Sequence, residues 1–279
     1  MKEWAQDIRA PLENKAGMNR ATRKIALALL WWAAAPGCTG GLSPQAQSLL
    51  SEGDKVYRKG DYKGTIEKMN LFVDQAGSSR RAYEGYYLRG LARLQLGDKA
   101  GAKSDLIQAV DRGGSETIMS DALNKLGDLA WEENDMETAA GRYAAALHHV
   151  KPGEKPADYS YYQLGSTLQR EGKWSEADQQ FSKLGFYFPS GELAQKAAAR
   201  INSRAWTVQA GAYADKSRAQ EAAERLKKTG MPAHVEPAMD NKNVSFVVQV
   251  GRYQSHQEVL KALERIRQDV KDAFVTTAR

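Results

Sequence analysis

The sequence predicts a multidomain chain in which an all-α helical solenoid over residues 44–203 is followed by a small α+β unit over 204–279. Two internal repeats and one apolar run carry that reading. Gly53, Gly90, Gly127 and Gly165 recur at intervals of 37, 37 and 38 residues. Val208-Gln209-Ala210-Gly211-Ala212-Tyr213 returns forty residues later as Val248-Gln249-Val250-Gly251-Arg252-Tyr253. A short apolar stretch near the N-terminus ends at the single cysteine, Cys38.

That stretch, Ile25 to Ala35, follows Arg20, Arg23 and Lys24 and precedes Pro36-Gly37-Cys38, the order of a secretory signal. It is too short for a membrane-spanning helix, which needs about 20 apolar residues. Residues 1–37 are therefore expected to be removable. Glu3, Asp7 and Glu13 do not suit a signal's basic start, so translation is expected to begin at Met18. A lone cysteine cannot close an intramolecular disulfide, and nothing around Cys38 suggests catalysis. Its setting resembles a bacterial lipobox, which implies diacylation of Cys38 and an anchor in the membrane. Ordinary cleavage after Ala35 is the competing outcome. Thr39 is not the aspartate that retains lipoproteins in the inner membrane, so the resemblance favours the outer membrane. Residues 38–43 are expected to form a short linker.

In the solenoid each repeated glycine sits in a helix-period stretch, and seven residues later comes a turn: Gly60-Asp61, Gly97-Asp98, Asn134-Asp135 and Gly172-Lys173. A second helix then places a small or β-branched residue four before a larger apolar one: Thr65 and Met69, Ala102 and Leu106, Ala139 and Tyr143, Ala177 and Phe181. Small residues let antiparallel helices approach, and the larger side chain fills the groove beside them. Four helical hairpins should stack, and the segment from Leu193 to Ile201 should cap the last. This pattern resembles tetratricopeptide (TPR) repeats, which implies a protein partner. Tyr83, Tyr86, Tyr87, Tyr159, Tyr161 and Tyr162 are the candidate groove contacts, although most are expected to pack between hairpins.

In the C-terminal unit, period-2 alternation puts Trp206, Val208 and Ala210 on one strand face and Thr207, Gln209 and Gly211 on the other. The second copy sets Phe246, Val248 and Val250 against Val247, Gln249 and Gly251. Ser217 with Gln220, and Ser255 with Glu258, have the spacing of helix-opening capping boxes. Short strands at 232–237 and 273–277 and a turn at 240–243 complete the order β-α-β-β-α-β, an RNP-like topology with helices on one sheet face only. The other face should offer its two glutamines to a polar, extended ligand such as a sugar chain.

The segment from Trp206 to Tyr213, the helix with Ala219, Ala222 and Leu226, and the segment from Phe246 to Tyr253 resemble a SPOR domain. The resemblance implies binding to septal peptidoglycan, on glycan strands denuded of stem peptides. The candidate contacts are Thr207, Gln209, Gly211, Ala212, Tyr213, Val247, Gln249, Gly251 and Tyr253. Arg252 departs from the small residue or proline usual at its place, which makes the first copy the firmer contact.

RNA-binding modules share this topology but stack bases on mid-strand aromatics, where this chain has Gln209 and Gln249. From Ala205 onward 12 Lys/Arg face 9 Asp/Glu, too even a balance for a phosphate-tracking surface, so no nucleic acid is expected. Without residues 1–37 the chain keeps 34 Lys/Arg against 31 Asp/Glu, which excludes little. The four histidines lack metal-ligand spacing, and no hydrolase elbow or phosphate-cradling loop occurs. No enzyme, cofactor or metal is expected. The sequence reads as a lipid-anchored periplasmic adaptor of cell division or envelope maintenance, favoured at the outer membrane and the septum. An outer-membrane protein assembly factor that uses its last domain only for localisation is the alternative.

Overall fold

The structure, a computed structural model, describes residues 41–240 and 243–278. The signal segment, Met18, Cys38 and the centre of the turn at 240–243 lie outside the described residues.

The array consists of the hairpins α1 (Pro44–Arg58) with α2 (Tyr62–Ala76), α3 (Ala82–Gln95) with α4 (Lys99–Asp111), α5 (Glu116–Glu132) with α6 (Met136–Leu147), and α7 (Ala157–Arg170) with α8 (Trp174–Tyr187). A short α9 (Glu192–Ala198) follows, and buries Ala194 and Ala197 against the cluster that holds Phe181 and Leu184. The repeated glycines mark where paired helices meet. A methyl group on Gly53 would collide with Met69, on Gly127 it would come within 2.6 Å of Tyr143, and on Gly165 within 2.5 Å of Phe181. Met69, Leu106, Tyr143 and Phe181 are fully buried, each contributing about 1.5–3 kcal/mol of apolar burial. Asp61, Asp98 and Asp135 start the second helices by accepting from the backbone N–H of Gly64, Gly101 and Thr138. Lys173, at the equivalent place before α8, makes no side-chain cap. Leu42, expected in the linker, is instead buried with Leu49 and Met69, and Ser43 caps α1.

The C-terminal unit runs β1 (Ala205–Tyr213), α10 (Lys216–Lys228), β2 (Ala233–Asp240), β3 (Asn243–Tyr253), α11 (His256–Ile266) and β4 (Phe274–Ala278). Its four strands form an antiparallel sheet in the order β2-β3-β1-β4. Ala219, Ala222 and Leu226 of α10 and Val259, Leu263 and Ile266 of α11 share one core with Val208, Val248 and Val250, so both helices cover the same sheet face. Ser255 and Glu258 form the expected capping box. The box expected at Ser217 is absent: α10 starts earlier, and the carboxylate of Asp215 accepts from the Arg218 N–H.

The two units meet through a run of side chains. Trp174 packs on Trp206 with ring centres 5.5 Å apart, and Trp206 meets the His256 ring edge-on at 4.8 Å. Arg170 donates to His256 Nδ1 at 3.3 Å while its guanidinium lies 4.6 Å from the centre of the Trp131 ring. Arg204 pairs with Asp178 at 2.8 Å.

Candidate functional site

Simple alternation does not survive the length of the strands, because each central strand carries one extra residue. Between Gln209↔Gln249 and Gly211↔Val248 the surplus residue is in β1, and between Val208↔Val250 and Trp206↔Tyr253 the surplus is in β3. Each irregularity exchanges the alternation of faces beyond it in the strand that carries the surplus residue. Gly211 and Tyr213 therefore pair with Val248 and Phe246 on the helix side, whereas Ala212 pairs with Val247 on the opposite side. Tyr213 and Tyr253 both pack against the core, so these two predicted contacts, with Gly211, do not join the glutamines.

The geometry explains why glycine precedes tyrosine by two in both copies. Tyr213 folds back over Gly211, so that a methyl group there would sit 2.9 Å from the ring. At Gly251 the corresponding distance to Tyr253 is 2.5 Å, and Gly251 also has φ +72°, a left-handed backbone that glycine adopts without strain. Burial and desolvation raise the Tyr253 phenol above its ordinary pKa despite the opposing Arg265 charge.

On the face away from the helices, Gln209 lies beside Gln249 on one flank and Phe274 on the other. Thr207 lies beside Thr276, and His234 and Glu236 of β2 stand next to Gln249 and Val247. Exposure divides this set. Thr207 is fully buried and donates to the Val250 carbonyl at 3.3 Å, while Val247 and Gln249 are nearly buried. Gln249 Oε1 is buried without a hydrogen-bond partner. Gln209 is half-buried, Ala212 is exposed and Phe274 is 48% exposed. The accessible part of the face is thus an amide beside an aromatic ring, bordered by Ala212 and Thr276, together with the half-exposed His234 and Glu236 side chains of β2, which pair with each other at 3.3 Å. Sequence reasoning missed Phe274 because it has no counterpart in the duplication. Its signal was the large ring at the start of the last strand.

Residues 202–277 match the family model of the SPOR domain. The C-terminal unit is a SPOR domain. The helical part preceding it matches TPR proteins. The crystal structure of a tetratricopeptide repeat protein from Parabacteroides merdae superposes with a TM-score of 0.50 at 14% identity, covering 67% of this chain and 66% of that one, and carries the fold assignment. MamA matches at 25% identity and TM-score 0.44 over 55% of this chain and 81% of its own. PilF of Pseudomonas aeruginosa does so at 16% and 0.46 over 55% and 66%. No curated protein matches the chain. A peptidoglycan-binding SPOR domain beside a TPR-like protein-interaction fold supports a general adaptor role and a place in the cell envelope.

In the array, the candidate tyrosines have divergent surroundings. Tyr161 is buried and stacks on Tyr187, Tyr83 covers Gly114, Tyr86 lies under Arg112, and Tyr162 lies under Arg200. Tyr87 and Tyr159 instead reach across to the neighbouring first helix, donating to Asp121 at 2.5 Å and Asp128 at 2.6 Å. Among the described residues no group of His, Cys, Asp and Glu could hold a metal, and no helix is long and apolar enough to cross a membrane.

Proposed function

We infer that the protein is a non-catalytic, lipid-anchored periplasmic adaptor that holds denuded, septal glycan strands on the SPOR sheet and a protein partner on the TPR array. The observation that carries the glycan reading is the pairing of Gln209 with the exposed Phe274 on the face without helices. An amide can exchange hydrogen bonds with sugar hydroxyl and acetamido groups, while an aromatic ring packs against the apolar face of a sugar. A stem peptide would crowd a surface whose accessible groups sit on adjacent strands, about 5 Å apart. Joining this site to a protein-binding array and an acyl chain at Cys38 raises the local concentration of each ligand for the other, with no chemical step. Division or envelope maintenance at the outer membrane is the setting this combination serves.

Sedimentation with sacculi tests the reading. Amidase removal of stem peptides should increase co-sedimentation, and Gln209→Ala with Phe274→Ala should reduce it at least tenfold without lowering thermal stability. Equal binding to untreated sacculi, or binding unchanged in the double variant, would overturn it.

A further inference from the structure

Two carboxylates on α5 sit in matching surroundings, and only one has a cation. Asp128 accepts from the Tyr143 and Tyr159 hydroxyls at 2.8 and 2.6 Å, and Lys125 completes the group, 3.8 Å from the carboxylate and 5.8 Å from the centre of the Tyr159 ring. One carboxylate, tyrosine rings and an ammonium thus form a finished cation site. Asp121, two turns earlier, accepts from the Tyr87 hydroxyl, yet among the described residues no lysine, arginine or histidine lies within 4 Å of it. Burial, then Tyr62, then the Asp121 charge raise the Tyr57 phenol, which puts Tyr57 of the first hairpin in the same neighbourhood. A further unsatisfied polar group lies on the same helix. Asn124 shares the helix stripe of Asp121 and Asp128 at i+3 and i−4. It is 1% exposed and takes the Ser160 hydroxyl on Oδ1, while its Nδ2 is buried without an acceptor.

We propose that Asp121, with the rings of Tyr57 and Tyr87, receives a lysine or arginine side chain of an extended partner segment running along the first helices of the array. The inference rests on the reading of the array as a protein-binding surface and gives that partner its chemistry: a basic segment, held as Lys125 is held internally. A guanidinium suits the site best, since it can stack on a tyrosine while pairing with the carboxylate.

The test uses the full chain and capped peptides of one length: Gly-Arg repeats, Gly-Glu repeats, and a mixed-sequence neutral set. Binding is read by calorimetry and by shifts of the tyrosine ring resonances. The arginine peptide should bind and move the Tyr57 and Tyr87 signals, and its affinity should fall about fivefold in Asp121→Asn and with rising salt. Asp54→Asn, which removes an acid already paired with Arg58, should leave it unchanged. Circular dichroism establishes that both variants fold. Tighter binding of the glutamate or neutral peptides, or arginine-peptide affinity unchanged in a folded Asp121→Asn, would overturn the inference while leaving the array a protein-binding surface. Failure of every peptide to bind would overturn that reading as well.

Discussion

At Gly251 two constraints coincide: a left-handed backbone and a tyrosine ring lying where a side chain would begin. Gly251→Ala should therefore destabilise the SPOR domain by about 1–3 kcal/mol, read as a lower urea midpoint. Gly211→Ala has only the crowding, without the positive φ, and should cost about 1 kcal/mol. Equal losses would mean that the left-handed backbone contributes nothing. The repeated Gly-x-Tyr was legible in the sequence, but its reason was not. Alternation counts residues and cannot see the surplus one, so Gly211, Tyr213, Gly251 and Tyr253 read as open-face residues although three-dimensional pairing turns the tyrosines inward. Thr207 kept its predicted face and is nonetheless fully buried, because burial on a central strand depends on its neighbours and not on its own parity.

Among elements, the hairpins were the most legible, since Gly53, Gly90, Gly127 and Gly165 face the very residues picked from the second helices, Met69, Leu106, Tyr143 and Phe181. Close approach of two helices leaves a mark at fixed spacing that no single loop can erase. The start of α10 was misplaced, yet the duplication already contained the answer: Asp215 stands forty residues before Ser255, the cap of α11. Caps also separate the hairpins. Lys173 has φ −82° and ψ 59°, close to the φ −77° and ψ 74° of Asp98, but lacks an acceptor to offer. Asp98→Ala should cost about 1 kcal/mol and Lys173→Asp should gain about 0.5 kcal/mol, both measurable by thermal unfolding. A Lys173→Asp variant no more stable than the parent would show that the cap is already replaced by other contacts.

For the whole molecule, the contact between array and SPOR domain depends on His256 staying neutral. Burial, and then the Arg170 charge, lower its pKa from 6.5 to about 4. The unfolded chain takes up a proton below about pH 6.5 that the folded chain refuses until about pH 4, so this contribution is complete above pH 6.5 and lost as pH falls toward 4. The midpoint of thermal unfolding should fall over that window, and His256→Gln should flatten the part between 6.5 and 4.5. An identical slope in both proteins would remove His256 as its source. The junction itself was illegible in sequence, because Trp174, Trp206, Arg170 and His256 are brought together from four elements with no common spacing.

The position of β1 inside the sheet has a mechanical side. The chain passes from the array into β1 at Ala205, and β1 is paired with β3 between Trp206 and Tyr213 on one edge and with β4 between Ala205 and Gln209 on the other. A pull between the array and a glycan lying across the sheet would act along β1, loading two rows of backbone hydrogen bonds in shear, where they must break together. Had the chain entered through the edge strand β2, the same force could have peeled the bonds one after another. The order β2-β3-β1-β4 thus suits a domain whose ligand is held while the chain entering β1 is under tension.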